Sequence, residues 1–313
     1  MSAAAREQRR DPLGYGIVLL SYLGMAGSAP LVAWADAPEA IILMLRMGFA
    51  ALALGVVFLR RPMIADWRRP GAAWRLIVMA AMSSLTLLLF FFAVRHTSVA
   101  IAMFLLFLMP VWIALVAPRV FHSPREPIVW PALGLALAGL AVILVPDLLG
   151  EGVRISLAGL LAALFTGFGY ATYTISVKGL TKIVSPSTIS MTEAAGDTLL
   201  VLPLAIWQFS STGYHLDGRV WLAAVIMGVA CTAIPYTLWI EGTRRVRVEH
   251  VTVLGYVEPV AGPLYAVFLV GQMPTIWTVI GGALILGAGL LVIVFGRGEG
   301  EASVAAAAEP EPL

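Results

Sequence analysis

The chain has 313 residues, of which 60% are hydrophobic and only 12% charged, with a formal net charge of +2 and a mean hydropathy of +0.92. Soluble domains carry about 25% charge and need polar residues wherever they face water, so a soluble enzyme, a disordered chain and a secreted disulfide scaffold are excluded. One cysteine, Cys231, rules out an internal disulfide and a cysteine-based zinc site, and the small net charge gives no basis for a nucleic-acid partner.

The remaining solvent is the lipid bilayer, whose core of about 30 Å takes about 20 apolar residues in a helix. Ten such stretches follow one another, at 13–33, 40–59, 74–94, 98–117, 128–146, 156–177, 188–209, 220–240, 249–270 and 275–295. The expected fold is therefore an all-α polytopic membrane protein of ten transmembrane helices. Residues 1–12 form a basic tail. Arg6 to Arg10 ahead of an apolar run also fit a signal peptide with a small-residue site near Ala26 to Ala29. Pro30 disfavours cleavage there and the run is full length, so it is read as the first span. Residues 296–313, rich in Gly, Ala, Glu and Pro, read as a solvated disordered tail. The connections are too short for an extramembrane domain, which confines the chemistry to the helices and the space between them.

Basic residues orient the chain. On alternate sides of a ten-span chain, sixteen of the 20 Lys and Arg fall on one side, Arg95, Arg154 and Arg219 on the other, and Arg46 within a span. The positive-inside rule then puts both termini in the cytoplasm. Trp67, Trp74, Trp130 and Trp221 lie near span ends, as interfacial anchors do.

Inside the spans, polar and aromatic residues mark where protein or solute replaces lipid. In chain order these are Ser21 and Tyr22 in the first span, Ser83, Ser84 and Thr86 in the third, and Phe107 in the fourth. The sixth carries Thr166, Tyr170, Tyr173 and Thr174, with Tyr170 and Thr174 on one helical face. The eighth carries Thr232, Tyr236 and Trp239, and the ninth Tyr256 and Glu258. Aromatic walls with a few hydroxyls suit a neutral, partly apolar solute, and a ring can also face an ammonium. Each tyrosine has an alternative role in interhelix packing, with its hydroxyl bonded to backbone.

Four charges lie within spans, namely Arg46, Glu193, Asp197 and Glu258. Each costs at least about 2.5–3.5 kcal/mol on insertion scales and must face protein or water. Arg46 and Glu193 sit at mirrored depths and read as structural anchors. Glu193 and Asp197, four apart on one face, are a like-charged pair able to hold a proton. Glu258, the deepest, has three open roles: partner of a solute ammonium, proton acceptor, or acceptor from hydroxyls such as Tyr236 or Thr232.

The two halves match. Pro110-Val111 and Pro259-Val260 are 149 residues apart, and each is followed by an apolar half-helix, a hinge and a span with glycines five apart, Gly134 and Gly139 or Gly282 and Gly287. Five spans per copy make the second copy enter from the opposite face, so residues 13–146 and 156–295 are expected to be two inverted five-helix repeats. Each proline, read as helix-interior, frees one carbonyl, that of Leu106 or Gly255. Such weak points are tolerated only beside protein or a water-filled cavity, which predicts a midplane cavity at Pro110 and Pro259. Met109 stands in the first half where Glu258 stands in the second. The small residues of the fifth and tenth spans predict close-packed scaffold helices.

This pattern resembles the EamA-type branch of the drug/metabolite transporter superfamily. The likeness is clearest in Glu258-Pro259-Val260, Gly271-Gln272 and the block Gly281-Gly282-Ala283-Leu284-Ile285 with Gly287, and extends over about residues 13–296. The family often has Gly-Glu where this chain has Gly271-Gln272, which removes an acid there. In the first half Arg46 matches a frequent family Arg, and Phe92 to Ala100 resembles the family's short link into the fourth span. The chain looks most like the YddG-type exporters of aromatic and other neutral amino acids. The resemblance implies a cavity lined mainly by spans 1, 3, 4, 6, 8 and 9, alternating access, and export of amino acids across a bacterial inner membrane. No cofactor is implied, and no ATP-binding G-x-x-x-x-G-K-[ST] stretch is present in the sequence.

Other classes fit the sequence less well. An intramembrane enzyme needs paired Asp, a metal site or a Ser/His dyad at one depth, whereas His96, His122, His215 and His250 all lie near span ends. An assembly factor has no use for a midplane proline pair or buried acids, and no repeated pore loop suggests a channel. Export of other metabolites or drugs is the alternative within the same class.

Overall fold

The computed structural model describes residues 11–58, 63–97, 99–121, 123, 125–148, 156–271, 273 and 275–296. The expected tails lie almost wholly outside the described residues, as do His122, Arg154 and Gln272. Every described element is a helix. The first half contains α1 Pro12–Ala26, α2 Ser28–Ala35, α3 Glu39–Phe58, α4 Met63–Trp67, α5 Ala72–His96, α6 Val99–Leu106, α7 Met109–Val120 and α8 Val129–Leu148. The second contains α9 Leu157–Leu180, α10 Pro186–Thr212, α11 Gly218–Gly228, a π-helical turn Val229–Ala233, α12 Ile234–Arg245, α13 Val248–Leu254, a 3-10 turn Gly255–Val257, α14 Glu258–Val270 and α15 Ile276–Phe295. Side chains of Asp11, Ser156, Ser185, Asp217 and Thr275 cap the first turns of α1, α9, α10, α11 and α15, satisfying amides that have no intrahelical partner.

Eight helical stretches are long and apolar enough to cross a membrane, and two shorter apolar helices, Ala40–Val56 and Val129–Leu144, occupy the second and fifth expected spans. The outer surface is apolar, with Trp74, Leu157 and Phe268 exposed, while serines, threonines and acids are buried. That distribution inverts the soluble pattern and suits a lipid solvent.

The helix breaks differ from the sequence expectation in where the prolines sit. Pro110 and Pro259 do not interrupt continuous helices. They occupy the first turn of α7 and α14, where the missing N–H has no intrahelical bond to lose. The chain breaks just before them, at Phe107–Leu108 and Gly255–Val257. The Leu106 carbonyl, whose helical donor would be Pro110, is freed as expected, and a second carbonyl joins it. The Val111 amide turns to Leu108 O at 2.9 Å, so the Phe107 carbonyl loses its helical donor. Gly255 O is taken by the Glu258 amide. The hydroxyl of Tyr256, inside the second break, donates to Phe107 O inside the first, with the two rings 5.4 Å apart. The second weak point, 149 residues along the chain, therefore satisfies the first.

The packing partners also correspond between halves. α5 packs on α9 as α1 packs on α12; α6 and α7 pack on α9 as α14 packs on α1 and α2; α5 meets α10 as α11 meets α3. The pairs α3 with α10 and α8 with α15 are their own counterparts. The α8–α15 pair is the close-packed scaffold, but its contact is made by Gly139 and Gly281. A Cβ at Gly139 would stand 2.6 Å from Gly281 O, whereas one at Gly134 would meet nothing within 4 Å. The regular glycine spacing singled out in the sequence is thus not the packing seam. Only Gly139 of that set meets backbone of the partner helix.

Two polar ties fix the helix ends. The Lys178 ammonium, buried at the end of α9, donates to Thr243 O at 2.6 Å and Val246 O at 3.0 Å, covering the negative C-terminal end of α12. Asp66 in α4 accepts from the Ser185 amide at 3.0 Å, the Ser185 hydroxyl at 2.7 Å and Thr188 Oγ1 at 2.8 Å, at the start of α10. Burial alone would raise the Asp66 carboxyl, but the Ser185 and Thr188 hydrogen bonds and the Arg69 charge outweigh it and hold it below its ordinary value.

Two tests follow from these contacts. Gly281→Val is expected to lower stability by about 1–3 kcal/mol through overpacking, whereas Gly134→Ala leaves it unchanged; thermal unfolding in detergent reads both. Asp66→Asn is expected to cost about 1–2 kcal/mol at neutral pH. Because the native carboxyl lies below its unfolded value of about 3.9, its stabilisation is present above that value and fades as pH falls through the native one. Unfolding midpoints of the two proteins, measured down a pH series, should converge in acid.

Candidate functional site

Where the two breaks meet, the backbone has no continuous helix and the side chains leave room. A cavity of about 590 Å³ opens there, within the range of small-molecule sites. Met25 to Pro30, at the α1–α2 break, form one wall, and Met103, Phe107 and Ile143 another. Tyr170 of α9 and Tyr236 of α12 add aromatic surface. Arg46 of α3 also lines it, with Glu258 and Pro259 at the head of α14. The cavity runs along α14 to the α14–α15 connection, where Met273, Thr275 and Thr278 border it.

The charges are placed by specific contacts. Arg46 Nε donates to Thr232 Oγ1 at 2.6 Å. Thr232 lies in the π-helical turn Val229–Ala233, where the widened ring redirects side chains from their α-helical bearing. Glu258 is the first residue of α14, in the stretch where a helix dipole favours an acid. Thr232 therefore serves Arg46 and not Glu258. Among the described residues the Glu258 carboxylate makes no hydrogen bond or ion pair.

Of the residues singled out in the sequence, Arg46, Phe107, Tyr170, Tyr236, Glu258 and Pro259 line the cavity. The others pack behind it. Trp239 Nε1 donates to the Tyr22 hydroxyl at 2.8 Å, and the Trp239 ring stacks on Tyr173 at 6.2 Å. The Tyr173 hydroxyl donates to Glu193 Oε2 at 2.6 Å. Ser83 bridges Glu193 and Asp197 at 3.3 and 3.2 Å, and Ser84 donates to Asp197 Oδ1 at 2.6 Å. Thr174 reaches Met109 Sδ at 3.9 Å, Tyr256 is fully buried at the crossing of the breaks, and Pro110 is buried in α7. One aromatic and hydroxyl network thus links α1, α12, α9, α10 and α5, and it gives both buried carboxylates hydrogen-bond donors.

The end of the protein away from the α14–α15 connection is filled. His250 Nε2 lies 2.7 Å from Glu126 Oε2 and its Nδ1 2.6 Å from the Tyr15 hydroxyl. Arg247 lies 3.2 Å from Glu126 Oε2 and 3.4 Å from Glu249 Oε1. All five residues are buried, His250 completely. This cluster ties the start of α13 to the α7–α8 connection and to α1. The sequence reading passed over it, since these charges fall at expected span ends. The available signal was the run Arg247-Val248-Glu249-His250 continuing directly into apolar sequence, with no hinge residue to separate it from the span.

Comparison with known proteins gives concordant relatives. The EamA-like transporter family model matches twice, over residues 12–145 and 157–295. An "Uncharacterized transporter" of Archaeoglobus fulgidus is 29% identical over 89% of this chain and 95% of its own length. The "Uncharacterized transporter YwfM" of Bacillus subtilis is 30% identical over 80% of this chain and 81% of its own. One solved crystal structure shares the fold with a TM-score of 0.75 at 21% identity, over 92% of this chain and 98% of that one.

Proposed function

The chain belongs to the EamA-like transporter family, and on that premise we propose that it exports small neutral metabolites, amino acids above all, by alternating access through the central cavity. The observation that carries this reading is the cavity at the crossing of two broken helices. Secondary transporters bind solute where discontinuous helices of two repeats meet near the bilayer midplane. Aromatic and thioether walls with a few polar groups suit an amino acid with an apolar or aromatic side chain.

The same reading takes the ten helices as two inverted five-helix repeats. Its support is the separate match of each half to one family model, the reciprocal packing partners, and the crossing of Phe107 with Tyr256. With both termini in the cytoplasm of a bacterial inner membrane, the α14–α15 connection lies outside and Glu126, Arg247 and His250 lie inside. The cavity then opens outward, and the buried polar cluster is the closed inner gate. Opening it exposes the same cavity to the cytoplasm. No contact is proposed between the solute and the gate.

Counterflow and efflux of labelled L-phenylalanine and L-leucine from proteoliposomes, with and without a proton gradient, test the function. Transport of at least one amino acid is expected; none across a broad amino-acid panel sinks the reading. The gate has its own test. In a Cys231→Ser background, Gly262→Cys places a thiol in the cavity at a position where a Cβ meets only Ala26 O, at 3.7 Å. Glu126→Gln removes the acid shared by Arg247 and His250, and breaking a buried pair costs about 3–5 kcal/mol. Labelling of that thiol by an impermeant maleimide should fall from the outer face and rise from the inner one.

A further inference from the structure

We propose that the cavity recognises its solute as a zwitterion, Glu258 taking the ammonium and Arg46 the carboxylate; this rests on the amino-acid reading above and assigns the recognising groups.

Arg46 and Glu258 line one cavity and carry opposite charges, yet they do not form an ion pair. In a low-dielectric site two such groups ordinarily pair, since each left alone retains its desolvation cost. Here each is held off. Arg46 is anchored through Nε by Thr232 at 2.6 Å, and among the described residues its two Nη groups have no hydrogen-bond partner. Glu258 heads the first turn of α14 and feels the Arg46 charge, and no hydroxyl among the described residues donates to it. Thr232, one of its two expected donors, is engaged by Arg46. Glu193 and Asp197 also act on Arg46 electrostatically, but their oxygens are occupied by Ser83, Ser84 and Tyr173, outside the cavity lining.

A ligand with an ammonium and a carboxylate on one carbon satisfies both protein charges at once and adds no net charge to the cavity. A cation alone leaves Arg46 unmet, and an anion alone leaves Glu258 unmet. The remaining space, bounded by Met25, Met103, Phe107 and Tyr170, takes the apolar side chain. The structure therefore assigns stereochemically demanding recognition to the α-carbon and looser recognition to the side chain.

The test uses the purified full-length protein and three probes in each of two series: L-phenylalanine, its methyl ester and 3-phenylpropionate, and L-leucine with its ester and desamino counterpart. Binding is read as ligand-dependent shift of the unfolding midpoint, and transport as counterflow in proteoliposomes. The amino acid is expected to bind at least about tenfold tighter than either monofunctional analogue, the scale of one charge-assisted hydrogen bond. Glu258→Gln should abolish the preference for the amino acid over the desamino acid while keeping that over the ester. Arg46→Gln should do the reverse. Equal binding of all three analogues, or loss of both preferences together in each variant, overturns the zwitterion assignment while amino-acid transport stands. Binding of the ester or the desamino acid with no binding or transport of any amino acid overturns both. Should either variant fail to fold, the wild-type panel decides alone.

Discussion

A backbone carbonyl inside a membrane has no water to turn to, and the fold is arranged around two places where that debt arises. The chain breaks at Phe107–Leu108 and at Gly255–Val257. The Tyr256 hydroxyl, carried by the second break, donates to the carbonyl freed in the first. Because the second break supplies the donor that the first lacks, the two must lie side by side. That sets the Phe107 ring against the Tyr256 ring and leaves Phe107, Glu258 and Pro259 on the wall of an open space. The cavity is the space this crossing leaves. Pro110 and Pro259 make the arrangement durable, since each begins a half-helix without sacrificing a hydrogen bond and forbids the preceding turn from rewinding into it.

Charge inside the membrane follows a hierarchy of satisfaction. Asp197 and Glu193 are supplied with hydroxyl donors from Ser83, Ser84 and Tyr173. In the Tyr15, Glu126, Arg247, Glu249 and His250 cluster at one end of the bundle, each acid faces a cationic or imidazole partner. Arg46 has one hydrogen bond, and Glu258 has none among the described residues, only the α14 dipole and the Arg46 charge. A folded protein tolerates incomplete satisfaction where something arrives to complete it. The gradient from bonded to unbonded acids runs from the network behind the cavity to its wall, where Glu258 borders the open volume.

The sequence made the helical class and the helix positions legible because apolar periodicity and length act locally, residue by residue. Arg46, Tyr170, Tyr236 and Glu258 were legible as polar groups at mid-span depth, and all four reach the cavity wall. Tyr22, Tyr173 and Trp239 have the same signature but form the layer behind it. Depth along a span is written in the sequence, whereas the direction a side chain points depends on helix rotation, and that is set by packing. The π-helical turn before Tyr236 alters the rotation in a way no periodicity records. The Gly139–Gly281 contact was missed for a related reason: spacing within one helix does not say which glycine faces the partner. His250 and Glu126 were hidden because a charge at a span end reads as solvated until a neighbouring element buries it.

The π-helical turn at Val229–Ala233 divides the angular frame of its span in two. Before it, α11 faces α3; after it, α12 faces α1, and Trp239 meets Tyr22. Thr232, inside the turn, meets Arg46. A π turn holds one residue more than the α turn it replaces, and the extra residue is absorbed in one widened ring. The α-helical stretch from Ile234 to Trp239 has no such ring. A residue inserted or deleted there turns everything beyond it by about 100°, the angular step of one residue, so that Thr232 keeps Arg46 while Trp239 swings away from Tyr22. The span is thus phase-locked between two contacts, and its length there, more than its composition, is what the cavity wall requires.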